Sequence, residues 1–461
     1  MKMIRCAADV AMIRRATCVA TIRRATYVAL AGAGILGGCI QTPNEIQTYT
    51  PIQISNPLSI VRDNEPVMIP LSEVRSRYPN FDPNDFSVGL MSSNWNPHDY
   101  DPILATDPPP TLPAQLIDTD RDGQPDTLLV ICDLGPHEKR VLSVCTPRFS
   151  KLAKSIGPRE GGGLYVRETT RREGGQLKSE GAYVPVTNAV LDPSHTKGDG
   201  LYQFGGPVFE TDTNGWRFCF DSRACFDVLG KRERGLVLAR NTKEPADLSK
   251  AAWGGALFGE PEQFGAGALG YSENGTVVPM AGFDSINYRT VNNGTAANEV
   301  EFMIMGAKLG HEAYDLKWRV THFAGNRYLR HDLEISRGGH HLAYVMNATG
   351  ARKEQTSGNV GWARVSCFGS ANVSAGAGGQ LGLGILASGR VVNGFVKNPQ
   401  DVIGIEFDGN ARHITFYTLA AWDQEPQGLR SVDDFNKSVE QLAQCLNEPV
   451  RAFNFEKQAD Q

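Results

Sequence analysis

Residues 204–231 read FGGPVFETDTNGWRFCFDSRACFDVLGK and combine aromatic, charged and turn-forming residues in one short stretch. From Trp216 to Arg223 the residues alternate, and a strand places alternate side chains on opposite faces. The two predicted faces are Trp216, Phe218 and Phe220 on one side, and Arg217, Cys219, Asp221 and Arg223 on the other. The first face is predicted to be core. The second is either a site for chemistry or a set of ion pairs that neutralise each other across a sheet.

The same pattern of short runs and turns continues through the chain. Forty-nine glycines and 26 prolines in 461 residues favour short strands joined by tight turns. We therefore predict a mainly β protein in three parts: a small β-sandwich over 54–150, a connection or edge hairpin over 151–203, and a large antiparallel β-sandwich over 204–455. One C-terminal helix is expected from Ser431 to Leu446, where apolar residues recur about every fourth position and Ser431 is a suitable N-cap.

The first 39 residues have the features of an export signal. A basic segment precedes the small, apolar run from Tyr27 to Gly38, which is too short to span a bilayer. The run ends in LGGC, which resembles a lipoprotein cleavage site at which Cys39 is acylated. We expect an exported protein that is anchored to a membrane through this lipid only, with residues 40–53 as a tether.

Charge and cysteine content narrow the classes of partner. Removal of residues 1–38 takes away six basic residues and one acid, which changes the formal charge from −5 to −10. An acidic chain without a basic run is a poor nucleic-acid binder, so no nucleic-acid partner is expected.

Six cysteines follow Cys39. They show no zinc-type spacing, and in an exported protein they allow fifteen disulfide connectivities: Cys132, Cys145, Cys219, Cys225, Cys367 and Cys445.

A D-x-D-x-D-G motif lies in the predicted small sandwich and leads directly into an apolar strand. Calcium requires six to eight oxygen ligands, and this spacing wraps several carboxylates around one point. The predicted ligands are Asp118, Asp120, Asp122, Asp126 and the carbonyl of Gln124. Leu129 stands where an EF-hand has its bidentate glutamate, so a calcium loop of the extracellular β type is predicted, with an acidic surface turn as the alternative. The ion would be structural.

The segment from Asp315 to Ser336 predicts a β-hairpin with its turn at Gly325-Asn326. This register gives the pairs Lys317 with Glu334, Arg319 with Asp332, Thr321 with Arg330, Trp318 with Leu333, Val320 with His331, and His322 with Leu329. Opposite charges then face each other across the strands, which accounts for these charges without a substrate.

The stretch 204–231 resembles the family of domain of unknown function 4861, a group of secreted bacterial proteins. The residues that carry the resemblance are Gly206, Pro207, Glu210, Gly215, Trp216, Arg217, Asp221, Arg223, Asp227, Gly230 and Lys231. The likeness extends from about Ile54 to the C-terminal region. It implies a β-sandwich like that of galactose mutarotases and a carbohydrate-related function, because such genes often accompany genes for polysaccharide degradation.

Candidate site residues follow from this stretch and from two other segments. The candidates are Glu210, Asp221, His341 and Tyr344 for catalysis, and Trp95, Trp216, Arg217, Arg223 and Lys231 for substrate binding. Planar arginine side chains suit the carboxylate of an acidic sugar, and aromatic rings suit sugar faces. A histidine with a tyrosine can act as base and acid, as can two carboxyl groups in a hydrolase.

Two classes of function therefore stay open. The first is an enzyme that acts on a polysaccharide or oligosaccharide with uronate units, by lyase or hydrolase chemistry. The second is a non-catalytic glycan-binding lipoprotein. Related sequences usually carry His and Asp motifs around a WG pair, whereas residues 251–259 read AAWGGALFG, and this departure favours the binding function.

Overall fold

The computed structural model describes residues 49–91, 111–145, 159–174, 176–191, 195, 199–238, 248, 252–258, 264–273, 276–338, 341–356, 361–369, 378–396 and 401–454. Cys39 and Trp95, which the sequence predicts to be lipidated and to bind sugar, lie outside these residues. Within the described ranges, no helix has both the length and the apolar character needed to cross a membrane.

The N-terminal part of the described chain forms two small sheets. Its elements are β1 (Tyr49–Ser55), β2 (Arg62–Pro70), α1 (Leu71–Arg77), β3 (Ser87–Met91), β4 (Ala114–Ile117), β5 (Thr127–Leu134) and β6 (Lys139–Cys145). One sheet contains β1, β6 and β3, and the other has the order β2-β5-β4. They share an apolar core that includes Ile54, Val130 and Leu142. This is the predicted small β-sandwich.

Two details of this sandwich differ from the sequence-based expectation. Strand β1 begins at Tyr49, so residues 49–53 of the predicted tether belong to the fold. Helix α1 was not predicted, because seven residues with two buried side chains, Leu71 and Val74, are too few to show a helical period.

The rest of the described chain forms three larger sheets and a second helix. The elements are β7 (Glu160–Glu173), β8 (Gln176–Val186), β9 (Asn188–Val190), β10 (Val208–Thr211), β11 (Gly215–Phe218), β12 (Phe226–Lys231), β13 (Gly254–Ala256), β14 (Ala268–Glu273), β15 (Thr276–Pro279), β16 (Ser285–Asn293), β17 (Ala297–Leu309), β18 (Glu312–Phe323), β19 (Tyr328–Ile335), β20 (Leu342–Asn347), β21 (Arg352–Thr356), β22 (Trp362–Gly369), β23 (Leu381–Ser388), β24 (Val392–Phe395), β25 (Val402–Phe407), β26 (His413–Trp422), α2 (Val432–Asn447) and β27 (Arg451–Asn454). Strand β27 pairs with β1, so it completes the first sheet of the small sandwich as β27-β1-β6-β3.

A nine-stranded antiparallel sheet is the central layer, with the order β21-β22-β23-β26-β19-β18-β17-β16-β9. One of its faces packs against two sheets side by side, a six-stranded sheet (β13-β12-β11-β10-β7-β8) and a five-stranded sheet (β15-β14-β20-β25-β24). The shared core contains Phe218 of the six-stranded sheet, Trp318 of the central sheet and Tyr344 of the five-stranded sheet. The prediction of a mainly β fold with a large antiparallel sandwich is confirmed. Strands β7 and β8 form an antiparallel hairpin at one edge of the six-stranded sheet.

The other face of the central sheet is covered by α2 and by the small sandwich. Phe435 and Val439 of α2 and Ile131 of β5 share a second apolar core with this face. Ser431 caps α2, since its hydroxyl accepts the backbone N–H of Asp434 at 3.1 Å, as the sequence predicts. The space left between β2, α2 and the turn after β18 is the cleft described below.

The predicted register of the β18–β19 hairpin is confirmed at all six pairs, although the ion pairs are different. Arg319 contacts Glu301 of β17 at 3.4 Å, and Arg121 of the calcium-type loop contacts Glu334. Backbone pairing therefore follows the alternation of the two strands. The long charged side chains instead reach partners on neighbouring strands and loops.

The strand predicted from Trp216 to Arg223 is shorter than expected. Strand β11 ends at Phe218, and the chain turns before β12 begins at Phe226. Both faces are buried, because a second apolar cluster that includes Phe204, Leu229 and Leu238 covers the face opposite the main core. The polar face of this stretch is therefore not a solvent-exposed surface.

Candidate functional site

A cleft of about 600 Å³ lies between the small sandwich, the turn that joins β18 to β19, and α2. Its lining is basic, amide-rich and aromatic: Arg62, Arg234, Arg327 and Arg330; Asn64, Asn326, Gln427 and Gln441; Phe323, Tyr328 and Tyr417. The carboxyl groups in the lining are Asp63 and Glu65. Three of the four guanidinium groups pair with carboxylates, Arg62 with Glu65, Arg327 with Glu425 and Arg330 with Asp332, whereas Arg234 donates to the side-chain amide of Gln427.

The arginines of the cleft are held in place by hydrogen bonds. Arg62 is buried and donates from Nη1 to Glu65 Oε1 at 2.7 Å and from Nε to Asn56 Oδ1 at 2.8 Å. Arg327 donates from Nε to Glu425 at 3.2 Å and from Nη2 to the carbonyl of Gln427 at 2.7 Å. Such bonds fix the planes of the guanidinium groups; the side chain of Arg62 is fully buried and supports the wall, whereas that of Arg327 is 20% exposed.

Burial raises the pKa of one carboxyl group and of two tyrosines in the cleft wall. Burial raises the pKa of Glu65, with Arg62 acting in the opposite direction. Burial raises the pKa of Tyr417 and places the pKa of Tyr328 well above its ordinary value. Beneath the wall, burial raises the pKa of Glu425 to about 7, against the effect of Arg327. The tyrosine hydroxyls are thus hydrogen-bonding groups at neutral pH and poor bases.

The predicted pair Glu210 and Lys231 lies inside the six-stranded sheet, with 2% and 0% of their surface exposed. Lys231 Nζ donates to Glu210 Oε1 at 2.8 Å, to the carbonyl of Thr211 at 2.6 Å, and to the carbonyl of Gly235. Glu210 also accepts the backbone N–H groups of Val237 and Leu238. This geometry favours a structural role for both residues, and their predicted roles in catalysis and binding stay predictions.

The predicted arginines of the same stretch also bond to nearby carboxylates. Arg217 Nη2 donates to Asp227 Oδ2 at 2.6 Å, and burial raises the pKa of Asp227 despite this contact. Arg223 Nη2 donates to Asp221 Oδ2 at 2.5 Å. Burial would raise the pKa of Asp221, but the bonds from Arg223 outweigh it and the pKa is lowered. Trp216 is fully buried in the core and offers no ring face to a ligand.

The stretch 204–231 nevertheless supports one wall of the cleft. Thr211 Oγ1 donates to the carbonyl of Asn326 at 3.2 Å, and Asn214 Nδ2 donates to the carbonyl of Arg327 at 3.3 Å. Both carbonyls belong to the turn that lines the cleft. The bond from Lys231 to Gly235 holds the segment next to Arg234, which also lines it. The stretch 204–231 therefore positions residues of the cleft through hydrogen bonds to their backbone.

His341 and Tyr344 are not brought together. His341 has an exposed side chain, a left-handed backbone with φ of 61°, and a contact of 3.7 Å to Glu406. Tyr344 is buried in the main core, where burial holds its pKa well above the ordinary value, and its hydroxyl has no hydrogen-bond partner among the described residues. Neither residue lines the cleft, and their pairing as base and acid stays a prediction.

The predicted calcium loop gathers three carboxylates. Ligand oxygens of Asp118, Asp120 and Asp126 lie within 4.8 Å of one another. Asp122 is not in this group, and its carboxylate accepts the backbone N–H of Gln124 at 2.7 Å. Burial acts to raise the pKa of Asp126, but hydrogen bonds from neighbouring threonines outweigh it and lower the pKa. The three oxygens suit a hard cation, so calcium remains a proposal here.

Comparison with protein families identifies the chain. The family model described as "Domain of unknown function (DUF4861)" matches residues 54–452. The chain belongs to this family. The match confirms the resemblance drawn from the stretch 204–231. The DUF4861 description assigns no activity, and no curated protein matches the chain.

Two solved structures resemble the DUF4861 chain weakly. One is described as an alpha-mannosidase from Enterococcus faecalis V583, with 8% identity, a TM-score of 0.42, and coverage of 90% of this chain and 47% of that one. The other is described as a protein in the glycosyl hydrolase family 38 from Enterococcus faecalis, with 8% identity, a TM-score of 0.40, and coverage of 88% and 47%. The chain spans about half the length of these structures.

Sequence reasoning missed the cleft because its parts are remote from one another. Asn64, Arg234, Asn326 and Gln441 come from four separate segments. The one local signal is the run FAGNRYLR over 323–330, where a turn carries amide, arginine and tyrosine side chains together. Its hairpin register was predicted, but nothing in the run shows that β2 and α2 lie beside it.

Proposed function

We propose that the arginine-lined cleft binds an acidic saccharide with uronate units, and that the DUF4861 protein serves polysaccharide degradation through this cleft. The observation that supports it best is the set of four arginines, two tyrosines and four amides around one cleft of about 600 Å³. Guanidinium groups bind carboxylates in bidentate form, amides bond sugar hydroxyls, and tyrosine rings stack on sugar faces. The size suits a few sugar units.

Binding without chemistry is the function that the cleft geometry supports first. The carboxyl groups of the lining are Asp63, which is exposed, and Glu65, which accepts a bond from Arg62. Abstraction of a proton from a uronate requires a base, and the tyrosines of the wall have raised pKa values. Lyase chemistry therefore has the weaker support.

Hydrolysis is the second candidate, because one observation favours it. Burial raises the pKa of Glu65, which is the direction that a general acid acting on a glycosidic oxygen requires. Asp63 is the neighbouring carboxylate that would serve as base. The predicted export and lipid attachment at Cys39 remain part of the proposal, and would place the cleft outside the cytoplasm.

The test measures binding by calorimetry with galacturonate oligosaccharides and with the same oligosaccharides as methyl esters, which lack the charge. We expect the acid form to bind more tightly. Arg234→Ala is expected to weaken binding of the acid form about 10- to 100-fold, because it removes one charged hydrogen-bond donor from the cleft. Arg234 is exposed, so the fold is expected to tolerate the change.

Arg352→Ala is the matched control, since Arg352 is an exposed arginine on β21 that does not line the cleft. Equal affinities of the two variants, or equal affinities for acid and ester, would reject the proposal. Ultraviolet absorbance and reducing ends are followed in the same samples. Absorbance would reveal elimination, and reducing ends that disappear in Glu65→Gln would support hydrolysis.

A further inference from the structure

The two cysteines of the stretch 204–231 face each other across the β11–β12 hairpin. Phe218 pairs with Phe226 at the end of the ladder, so the next opposed positions are Cys219 and Cys225. The backbone N–H of Cys219 donates to the carbonyl of Cys225 at 2.8 Å. In a hydrogen-bonded antiparallel pair the two Cα atoms are about 5.5 Å apart, which lies within the range of about 4.4–6.8 Å that disulfides span.

Side-chain contact accompanies this backbone geometry. Hydrogen bonding between the two side chains lowers the pKa of Cys219 and, together with burial, raises that of Cys225. Both side chains are buried, at 1% and 0% exposure, in an apolar cluster with Phe264 and Val345. The sulfur atoms therefore lie together in a space that excludes water.

The other described cysteines are not arranged in this way. They lie on four different elements, and no described strand pair sets two of them opposite each other: Cys132 on β5, Cys145 on β6, Cys367 on β22 and Cys445 on α2. Of the fifteen connectivities that the sequence allows, the strand register supports those that contain the pair 219–225.

We propose that Cys219 and Cys225 form a disulfide that closes the β11–β12 hairpin when the chain folds in the presence of a disulfide donor. The Cys219 thiolate attacks one sulfur of the donor and releases the first donor thiolate. Cys225 then loses its proton and attacks the Cys219 sulfur, which releases the second donor thiolate. Two protein thiols are oxidised and one donor disulfide is reduced to two thiols.

The disulfide would restrain the turn that carries the Asp221–Arg223 ion pair. This turn includes Ala224, whose φ of 43° is unfavourable for a residue with a side chain. A covalent link beside it removes open conformations of the turn from the unfolded chain, and this is one way in which disulfides stabilise. Exchange is expected before the sheet closes, because the folded hairpin buries both sulfurs.

Peptide mapping tests the proposal on the unmodified chain. Trypsin cleaves after Arg217, Arg223 and Lys231, so the two cysteines fall in separate peptides, 218–223 and 224–231. The protein is refolded in a mixture of oxidised and reduced glutathione, denatured, alkylated without reductant and digested. We expect the two peptides to be joined and two hydrogens lighter than their sum, and to separate after reduction. Alkylated free peptides, or a link from either one to another cysteine, would overturn the proposal.

A thermal measurement gives an independent readout. Reductant is expected to lower the Tm of the refolded wild-type protein by a few degrees. The same reductant is expected to leave the Tm of the Cys219→Ser/Cys225→Ser variant unchanged. Cys367→Ser, which changes a buried cysteine on another strand, is expected to keep the full sensitivity. Loss of sensitivity in Cys367→Ser and not in the double variant would contradict the assignment.

Discussion

The buried stretch 204–231 and the open cleft both place basic side chains beside carboxylates, but their surroundings differ. In the stretch, Lys231 and Glu210 bond to each other and to backbone groups, and both are almost completely buried. In the cleft, Arg234 and Asp63 are exposed, and the guanidinium of Arg327 braces the wall. The same residue types close a fold in one region and line an opening in the other.

The difference comes from the layers that cover each region. Strands β10–β12 have the main core on one side and a second apolar cluster on the other, so every polar group there must find a protein partner. The cleft lies where the small sandwich, the β18–β19 turn and α2 meet, and its polar groups retain space beside them. The stretch of the sequence that is richest in charged residues, 204–231, is therefore a buried support. The open cleft is formed by segments that are remote from one another in the sequence.

Breaking the buried pair is expected to give the largest effect. Lys231→Met leaves the Glu210 carboxylate buried without its cation, and removal of one partner of a buried ion pair costs about 3–5 kcal/mol. We expect the free energy of unfolding to fall by this amount in urea titrations. The double variant Lys231→Met/Glu210→Gln is expected to recover part of the loss, because no buried charge is left alone. A loss below about 1 kcal/mol in the single variant would show that the pair does not close the fold.

The backbone pairing of strands was easier to predict than the environment of their side chains. Alternation of residues gave the β18–β19 register correctly at all six pairs, because a one-residue slip would move every apolar side chain of β18 to the wrong face. The same alternation overestimated β11, which ends at Phe218. A strand that is buried on both faces does not need a solvent-exposed polar face. The local sequence also does not indicate which layers of the fold cover the strand.

The candidate site was less predictable for a related reason. Glu210, Lys231 and Arg217 are candidates because they lie in one stretch rich in charged and aromatic residues, and charged residues of neighbouring strands can satisfy one another within a sheet. Arg62 and Arg327 meet in one cleft only after β2 has packed beside the central sheet. Such tertiary juxtaposition leaves no periodic signal in a single sequence.

The pH dependence of stability tests a buried carboxyl group, Glu160, in the same sheet as the stretch 204–231. Glu160 begins β7, is 2% exposed, and has no hydrogen-bond partner for either carboxyl oxygen among the described residues. Burial raises its pKa from 4.5 to about 9. The folded state then holds a proton that the unfolded state loses, so this group lowers stability as the pH rises from about 4.5 to 9.

Glu160→Gln is expected to remove this dependence and to raise stability at pH 7 by up to about 3 kcal/mol, measured by urea unfolding across the pH range. Glu354→Gln, at an exposed glutamate of β21, is the matched control and is expected to leave the slope unchanged. Parallel pH profiles for wild type and Glu160→Gln would mean that the Glu160 carboxyl is solvated or paired in solution.

Calcium binding is tested at a third region, the calcium-type loop, whose three carboxylates are partly or fully exposed to solvent. The loop of Asp118, Asp120 and Asp126 docks on the central sheet, since Arg319 Nη1 donates to the carbonyl of Asp118 at 3.0 Å. An ion that binds only the folded loop at a hundredfold excess over its Kd adds about 2.7 kcal/mol to the free energy of unfolding. The free energy of unfolding is measured with calcium and with chelator, and Asp120→Ala is expected to abolish the difference between them. Asp122→Ala is expected to retain most of this difference, because Asp122 lies outside the group of three. Equal unfolding with calcium and with chelator would leave the loop as an acidic turn, stabilised by the backbone bonds that Asp118 and Asp126 accept.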